Sequence, residues 1–364
     1  MFSKLTKAVS FAGLALSIAA CSKGGGTFSL LSDSVEAKQD ATYVARKIDI
    51  LWVIDNSGSM ATSQANLASN FQSFISRFNQ YSYDFHMAVS TTDGWEKYFS
   101  SSSVKARFRD GVSSHSGVFV MDKNTTNLNS VFTTNISEGT GGNGDERAFQ
   151  SFQQTLNDAF NISSGFRRSD AFLAIIIVSD EDDQSSTSSG FYEGTIPASQ
   201  LAANPSLIYN NPNLISVQSY ANFLATYTGG VASTDFSVSN ISVQDDACRV
   251  QLDSDGDSSR KVNQRYNALT DLTGGVKSSL CSDFGTTLQL ISDKIIQLSA
   301  VFKLTRVPVV SSIVVTVDGV AVAQDATNGW TYDSTANAID FHGTAIPGAN
   351  STVKINFDPQ SVNI

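Results

Sequence analysis

The residues best placed to do chemistry together are Asp55, Ser57 and Ser59, in the run Asp55-Asn56-Ser57-Gly58-Ser59. A carboxylate and two hydroxyls at every second position can aim their oxygens at one point if the chain curls. Such a hard-oxygen set suits Mg²⁺ or Ca²⁺ rather than zinc. A second acidic run, Ser179-Asp180-Glu181-Asp182-Asp183, offers Asp180. Carboxylates held close together repel one another unless a cation sits between them.

The elements that must hold these residues are legible beside them. Ile48 to Ile54 is a short apolar run with the branched and aromatic content of a buried strand, and it ends in the Asp55 loop. Phe172 to Val178 is continuously apolar, as a central parallel strand should be, and it runs into Asp180. In one parallel sheet, Asp55 and Asp180 then share an end. Leu67, Phe71, Phe74, Ile75 and Phe78 form one face of a helix after the first loop. Strand, oxygen-rich loop and helix make half of an α/β unit, and such units bind ligands at the carboxyl ends of their strands. Tyr83 to Thr92, with Phe85, Met87 and Val89 on one face and His86 on the other, is predicted to be a strand. So are Val118 to Met121 and Phe236 to Val243. Helical stripes run through Ala148, Phe149, Phe152, Leu156, Ala159 and Phe160, and through Phe284, Leu288, Ile291, Ile295 and Leu298, while Thr273-Gly274-Gly275 reads as a helix stop. Strands alternating with helices over about 250 residues predict an α/β fold with a doubly wound, mostly parallel sheet.

These residues resemble a von Willebrand factor A-type domain (vWA, or I domain; Rossmann-like) with a metal-ion-dependent adhesion site, over residues 47–304. In that family an Asp-x-Ser-x-Ser loop, a Thr from a second loop and an Asp from a third hold Mg²⁺. The resemblance implies Asp55, Ser57, Ser59 and Asp180 as ligands. The family's Gly-Gly-Thr-x-x-x-x-Ala-Leu aligns with Gly141-Gly142-Asn143-Gly144-Asp145-Glu146-Arg147-Ala148-Phe149, which puts Asn143 in the place of Thr. Thr140 and Asp145 are near enough to complete the site instead. The ion expected is Mg²⁺, with Mn²⁺ or Ca²⁺ as substitutes, and an acidic group of a protein or glycan partner fills its open position. The function implied is an envelope-anchored adhesin or protein-binding module. The alternative is a structural or assembly scaffold whose metal only stabilises it. A hydrolase is not expected: the histidines are His86, His115 and His342, Gly-x-Ser-x-Gly and Walker-type loops are absent, and no zinc spacing is present.

Residues 1–20 read as a targeting segment, with Lys4 and Lys7 before an apolar stretch, Ala8 to Ala20, too short to span a bilayer. Ile18-Ala19-Ala20-Cys21 resembles a bacterial lipobox. That implies cleavage before Cys21, lipidation of its thiol and a lipid-anchored protein of the cell envelope; Ser22 points by analogy to the outer membrane. Losing Lys4 and Lys7 takes the formal charge from −10 to −12, which disfavours nucleic acid and anionic headgroups as partners. Residues 21–46, with Gly24-Gly25-Gly26, read as a tether. Residues 184–227 read as an insertion rich in Ser, Asn and Tyr (Tyr192, Tyr209, Tyr220, Tyr227), either a partner-binding loop or decoration, with Leu214 to Ala225 helical. Cys248 and Cys281 are the pair left for a disulfide in an exported chain. Asp253-Ser254-Asp255-Gly256-Asp257 is a solvated turn or a second calcium site. From residue 305 to 364 the pattern turns to period two, with Asp318-Gly319 as a hairpin signal, and predicts a small β-sandwich-like module packed on the body.

Overall fold

The structure is a computed structural model that describes residues 41–44, 46–190, 192–254, 256, 260–348 and 351–360. The expected signal peptide, Cys21 and most of the expected tether lie outside the described residues, as do Asp255 and Asp257 of the acidic turn.

In chain order the strands are β1 (Ala41–Val44), β2 (Lys47–Ile54), β3 (Phe85–Thr91), β4 (Met121–Asp122), β5 (Ala171–Ser179), β6 (Phe236–Ser242), β7 (Lys277–Ser279), β8 (Val301–Lys303), β9 (Val314–Val317), β10 (Val320–Val322), β11 (Trp330–Asp333), β12 (Ala338–Phe341) and β13 (Thr352–Asn356). The α-helices are α1 (Ala61–Gln80), α2 (Glu96–Phe99), α3 (Leu128–Ile136), α4 (Ala148–Asn157), α5 (Ala159–Ser163), α6 (Ala198–Ala203), α7 (Val217–Thr228), α8 (Asp246–Asp253), α9 (Arg265–Thr273) and α10 (Phe284–Ser299).

The main sheet has the order β4-β3-β2-β5-β6-β7, and every neighbouring pair is parallel except β4, which runs against β3. Numbered by chain order within this sheet, that is 3-2-1-4-5-6, the doubly wound α/β order, and it reverses between β2 and β5. Alternate residues of β2 face opposite sides. Ile50, Trp52 and Ile54 pack with apolar residues of α1, α3 and α10; Leu51 and Val53 pack with those of α4, α7 and α9. The stripe Leu67, Phe71, Phe74, Ile75 and Phe78 is buried along α1, and Gly274 ends α9 in the left-handed conformation.

Three elements depart from the sequence reading, each for a local reason. Val118 to Val120 do not join the sheet, because the Ser116 hydroxyl accepts the Val118 amide and the Asn135 side chain donates to its carbonyl. The stripe through Phe160 breaks where Asp158 caps the separate short helix α5, which leaves Phe160 exposed. The region 184–227 is two things. Its second half contains α7, the crossover helix between β5 and β6, with Tyr220 and Leu224 in the core and the Tyr227 hydroxyl on the Leu156 carbonyl. Its first half is a loop closed at its base by an antiparallel bridge between Ser186 and Leu214.

Two small antiparallel sheets, β1-β13-β9-β10 and β11-β12-β8, enclose a separate core that includes Phe302, Val315, Trp330, Ile339, Phe341 and Val353. β1 falls in the stretch assigned to the tether and β8 in that assigned to the body; both are drawn in by backbone pairing, with β13 and β12. The Tyr83 hydroxyl donates to the Pro347 carbonyl and Gln297 meets His342, so this core is joined to the main body. A disulfide links Cys248 of α8 to Cys281 just after β7. A closed loop of about that 33-residue separation is worth about 3–4 kcal/mol in the chain-entropy account.

Candidate functional site

β2 and β5 pair in register from Lys47–Ala171 to Ile54–Val178, and the Asp55 amide donates to the Val178 carbonyl at 2.9 Å. The shared register carries Asp55 and Asp180 to the same end of two neighbouring strands, at the point where the sheet order reverses. Both are buried, at 0% and 1% exposure. Among the described residues Asp55 receives only neutral donors: the Ser57 amide at 2.8 Å on Oδ1 and the Ser179 hydroxyl at 2.7 Å on Oδ2. The Ser59 hydroxyl donates to Asp180 Oδ1 at 3.0 Å, and the Ser57 and Ser59 oxygens are 3.4 Å apart. Asp55, Ser57, Ser59 and Asp180 are thus one cluster.

The second loop docks on the first. The Gly142 amide donates to the Asn56 carbonyl, and a Cβ at Gly142 would lie 2.5 Å from Asn56 Oδ1, so a side chain there would separate the loops. Gln64 of α1 donates to the carbonyls of both Asp55 and Gly139, each at 2.9 Å. Asp93, just past β3, accepts the Asn143 amide at 2.8 Å and the Asn56 side chain at 3.3 Å. The three second-loop candidates each have surroundings of their own. Asn143 Oδ1 accepts the Asp145 amide at 3.1 Å, closing a local turn. Thr140 is exposed. Asp145 is paired with Arg147 at 2.9 Å, whose guanidinium lies 4.2 Å from the Trp95 ring centre and donates to the Ser188 and Gly190 carbonyls. The residue of this loop that feels the cluster is Glu146. It is 1% exposed, its Oε1 accepts no hydrogen bond, and its carboxyl pKa is pushed well up by burial and then by the charges of Asp55, Glu181 and Asp180.

Sequence reasoning also missed Arg260. It is buried and donates to Asp180 Oδ2 at 3.1 Å and to the Leu252 carbonyl at 2.9 Å. No spacing signal connects it to Asp180, 80 positions earlier. The neighbouring acids are structural. Asp182 accepts the Gln264 and Arg265 amides at the start of α9, and the Tyr209 hydroxyl at 2.5 Å. Asp183 pairs with Arg265 and accepts the Phe149 amide at the start of α4.

The electrostatics follow from burial. Asp55 is pushed up to about 7, first by loss of water and then by the charge of Asp180. Glu181 is raised well above the usual carboxylate range, chiefly by burial, with Lys261 pulling the other way. Among the described residues, no three His, Cys, Asp and Glu side chains gather as a ready metal cage. The donors at Asp55 are instead two carboxylates and two hydroxyls, with the orphan Glu146 oxygen behind them. That set of hard oxygens, in excess negative charge, fits a divalent ion of the Mg²⁺ or Ca²⁺ kind. The histidines are placed elsewhere: His86 on the Phe166 carbonyl, His115 on Asp110, and His342 on Thr331.

Above the cluster lies a cavity of about 1290 Å³. Ser57, Ser59, Glu181 and Arg260 line it on one side, and Glu193, Ile196, Leu201, Ile208 and Tyr209 of the closed loop on the other. Tyr209 therefore lines the cavity, while Tyr192 is half-buried in the same loop outside the lining.

No protein-family model matches this chain, and no curated protein matches it. Among solved structures it is similar to proximal thread matrix protein 1 from the mussel byssus, at 12% identity and a TM-score of 0.37 over 74% of this chain and 52% of that one. It is also similar to the pilus adhesin SpaC of Lactobacillus rhamnosus GG, at 11% identity and a TM-score of 0.38 over 87% of this chain and 40% of that one. The chain spans about half or less of the length of either structure. Neither likeness is close enough to carry a conclusion, and the α/β fold rests on this chain's own strand order.

Proposed function

We propose that residues 47–304 form a von Willebrand factor A-type domain with a metal-ion-dependent adhesion site, and that the protein is an envelope-anchored adhesin or protein-binding module. The observation that supports this most is the meeting of Asp55 and Asp180 at the switch point of the sheet, with two serine hydroxyls beside them and no basic side chain on Asp55. Asp55, Ser57, Ser59 and Asp180 would hold Mg²⁺, Mn²⁺ or Ca²⁺, with Asn143, or Thr140 or Asp145 in its place, completing the set from the second loop. When bound, the ion supplies a positive centre that a carboxylate of a protein or glycan partner can approach. Arg260 holds Asp180 by Oδ2 and so keeps Oδ1 turned to Ser59. Ser57 and Ser59 add oxygens without charge, so the ion keeps charge for the partner. Gln64 and Asp93 fix the two loops against each other. The proposal includes export and a lipid at Cys21, both read from the sequence alone.

Titration calorimetry with Mg²⁺ and Mn²⁺ on residues 22–364, beside Asp55→Asn and Asp180→Asn, tests this reading. One ion should bind to the natural sequence and neither variant should bind it while remaining folded by circular dichroism; uptake that survives both substitutions overturns the assignment. The complete burial of Asp55 favours a second reading, a scaffold whose ion only stabilises it. In that case chelation lowers the melting temperature and leaves partner binding intact.

A further inference from the structure

The cavity above Ser57 and Ser59 is larger and less polar than a lone carboxylate needs. Its volume of about 1290 Å³ exceeds the roughly 300–1,000 Å³ of ordinary small-molecule sites, so it has room for several residues. Its walls differ in kind. The polar lining carries Ser57, Ser59 and Arg260 together with acids and bases of both signs (Glu181, Asp245, Asp246, Arg249, Lys261), while Ile196, Leu201, Pro205 and Ile208 come from the closed loop and Val262 from the segment after Arg260. The apolar wall is fixed to the polar floor rather than hung over it. The Tyr209 hydroxyl is bonded to Asp182, Glu193 is paired with Lys261 at 3.0 Å, and the base of the loop is closed at Ser186 and Leu214. Tyr209 is the one aromatic residue in the described lining, and its hydroxyl is already engaged. Sugars stack on aromatic faces, and the aliphatic wall of Ile196, Leu201 and Ile208 offers none.

We propose that this cavity takes a protein segment in which an acidic residue stands beside a bulky apolar one, the acid going to the Ser57–Ser59 floor and the apolar side chain to the wall of Ile196, Leu201 and Ile208. The direction of the acid rests on the metal reading given above; the apolar subsite rests on the cavity itself. The occupant is a protruding loop or chain end, because a flat protein face does not fill a concave space and a glycan leaves the aliphatic wall unpaired.

The test uses the purified protein and three probes: capped peptides Gly-Leu-Glu-Leu-Gly and Gly-Ser-Glu-Ser-Gly, and trigalacturonate, each titrated in Mg²⁺ and again in EDTA. The leucine peptide should bind about tenfold or more tighter than the serine peptide, the return expected for burying one such side chain. The double variant Ile196→Ser/Leu201→Ser should reduce that preference to about twofold or less while Mg²⁺ uptake is unchanged. Equal binding of the two peptides overturns the proposal, and so does absence of binding by either while Mg²⁺ binds. Tighter binding of trigalacturonate assigns the cavity to a glycan instead. A leucine preference that persists in EDTA, in a protein that takes up no Mg²⁺, sinks the metal reading and leaves the apolar subsite standing.

Discussion

β2 carries a buried aspartate near each end, and the two are treated oppositely. Asp49 and Asp55 are both at 0% exposure, and in both burial pushes the carboxyl upward. At Asp49 the neighbours pull back: Arg168 donates from its side chain at 2.8 Å and its amide at 2.7 Å, and Arg167 at 3.0 Å. At Asp55 the next charge is that of Asp180, which pushes further in the same direction. One end of the strand is a closed ion pair that contributes to the fold. The other is left short of positive charge by the surrounding fold, at the end of the sheet where ligands bind. A buried acid alone therefore says little; what surrounds it separates a strut from a site.

The comparison can be broken in several ways. Asp49→Ala leaves Arg167 without its carboxylate and Arg168 with Asp84 alone, and should lower unfolding free energy by about 2–3 kcal/mol in urea titrations, with metal uptake unaffected apart from the lost stability. A hundredfold excess of Mg²⁺ over its dissociation constant should raise the stability of the natural sequence by about 2.7 kcal/mol and that of Asp55→Asn not at all. In EDTA, Asp55→Asn should be as stable as the natural sequence or up to about 2 kcal/mol more so, since it removes a charge that burial and Asp180 both oppose; a loss of the size seen at Asp49 would erase the contrast. The pH dependence has a definite sign. Asp55 near 7 is raised above its unfolded value, so the folded state binds the extra proton and metal-free stability falls as pH rises from about 4 through about 7. Saturating Mg²⁺ should flatten that slope, and Asp55→Asn should remove much of it. A further test sharpens the loop contact: Gly142→Ala should cost about 1–3 kcal/mol, read as a lower melting temperature, because its Cβ meets Asn56.

Much of this arrangement is written locally. The apolar runs of β2 and β5 and the stripe of α1 follow from periodicity, and the acids at the strand ends follow with them. What is not legible is set by contacts distant in sequence or by turn chemistry. Arg260 reaches Asp180 from a loop after α8, and no pattern near either residue announces it. Asn143 looks like a ligand by position, yet its oxygen closes a turn onto Asp145, a competition that alignment with a motif does not reveal. Asp145 looks free in the sequence and is bound to Arg147 two residues on. The helix α7 is legible in the sequence at Leu214 to Ala225, but its place as the crossover between β5 and β6 is hidden by the polar loop before it, so a core helix and a cavity wall read as one insertion.

β1 and β13 pair antiparallel over four residues, Ala41 with Ile355 through Val44 with Thr352. This has a mechanical consequence. Were the proposed partner seated over Ser59, a pull on the chain ahead of Ala41 would load the β1–β13 ladder before β2 at the centre of the main sheet. Stripping that short ladder releases slack on the order of 10–15 Å, at the usual rise of a few ångströms per residue. On the proposed function the pairing would serve as a fuse, yielding while the longer β2–β5 register beside Asp55 and Asp180 holds.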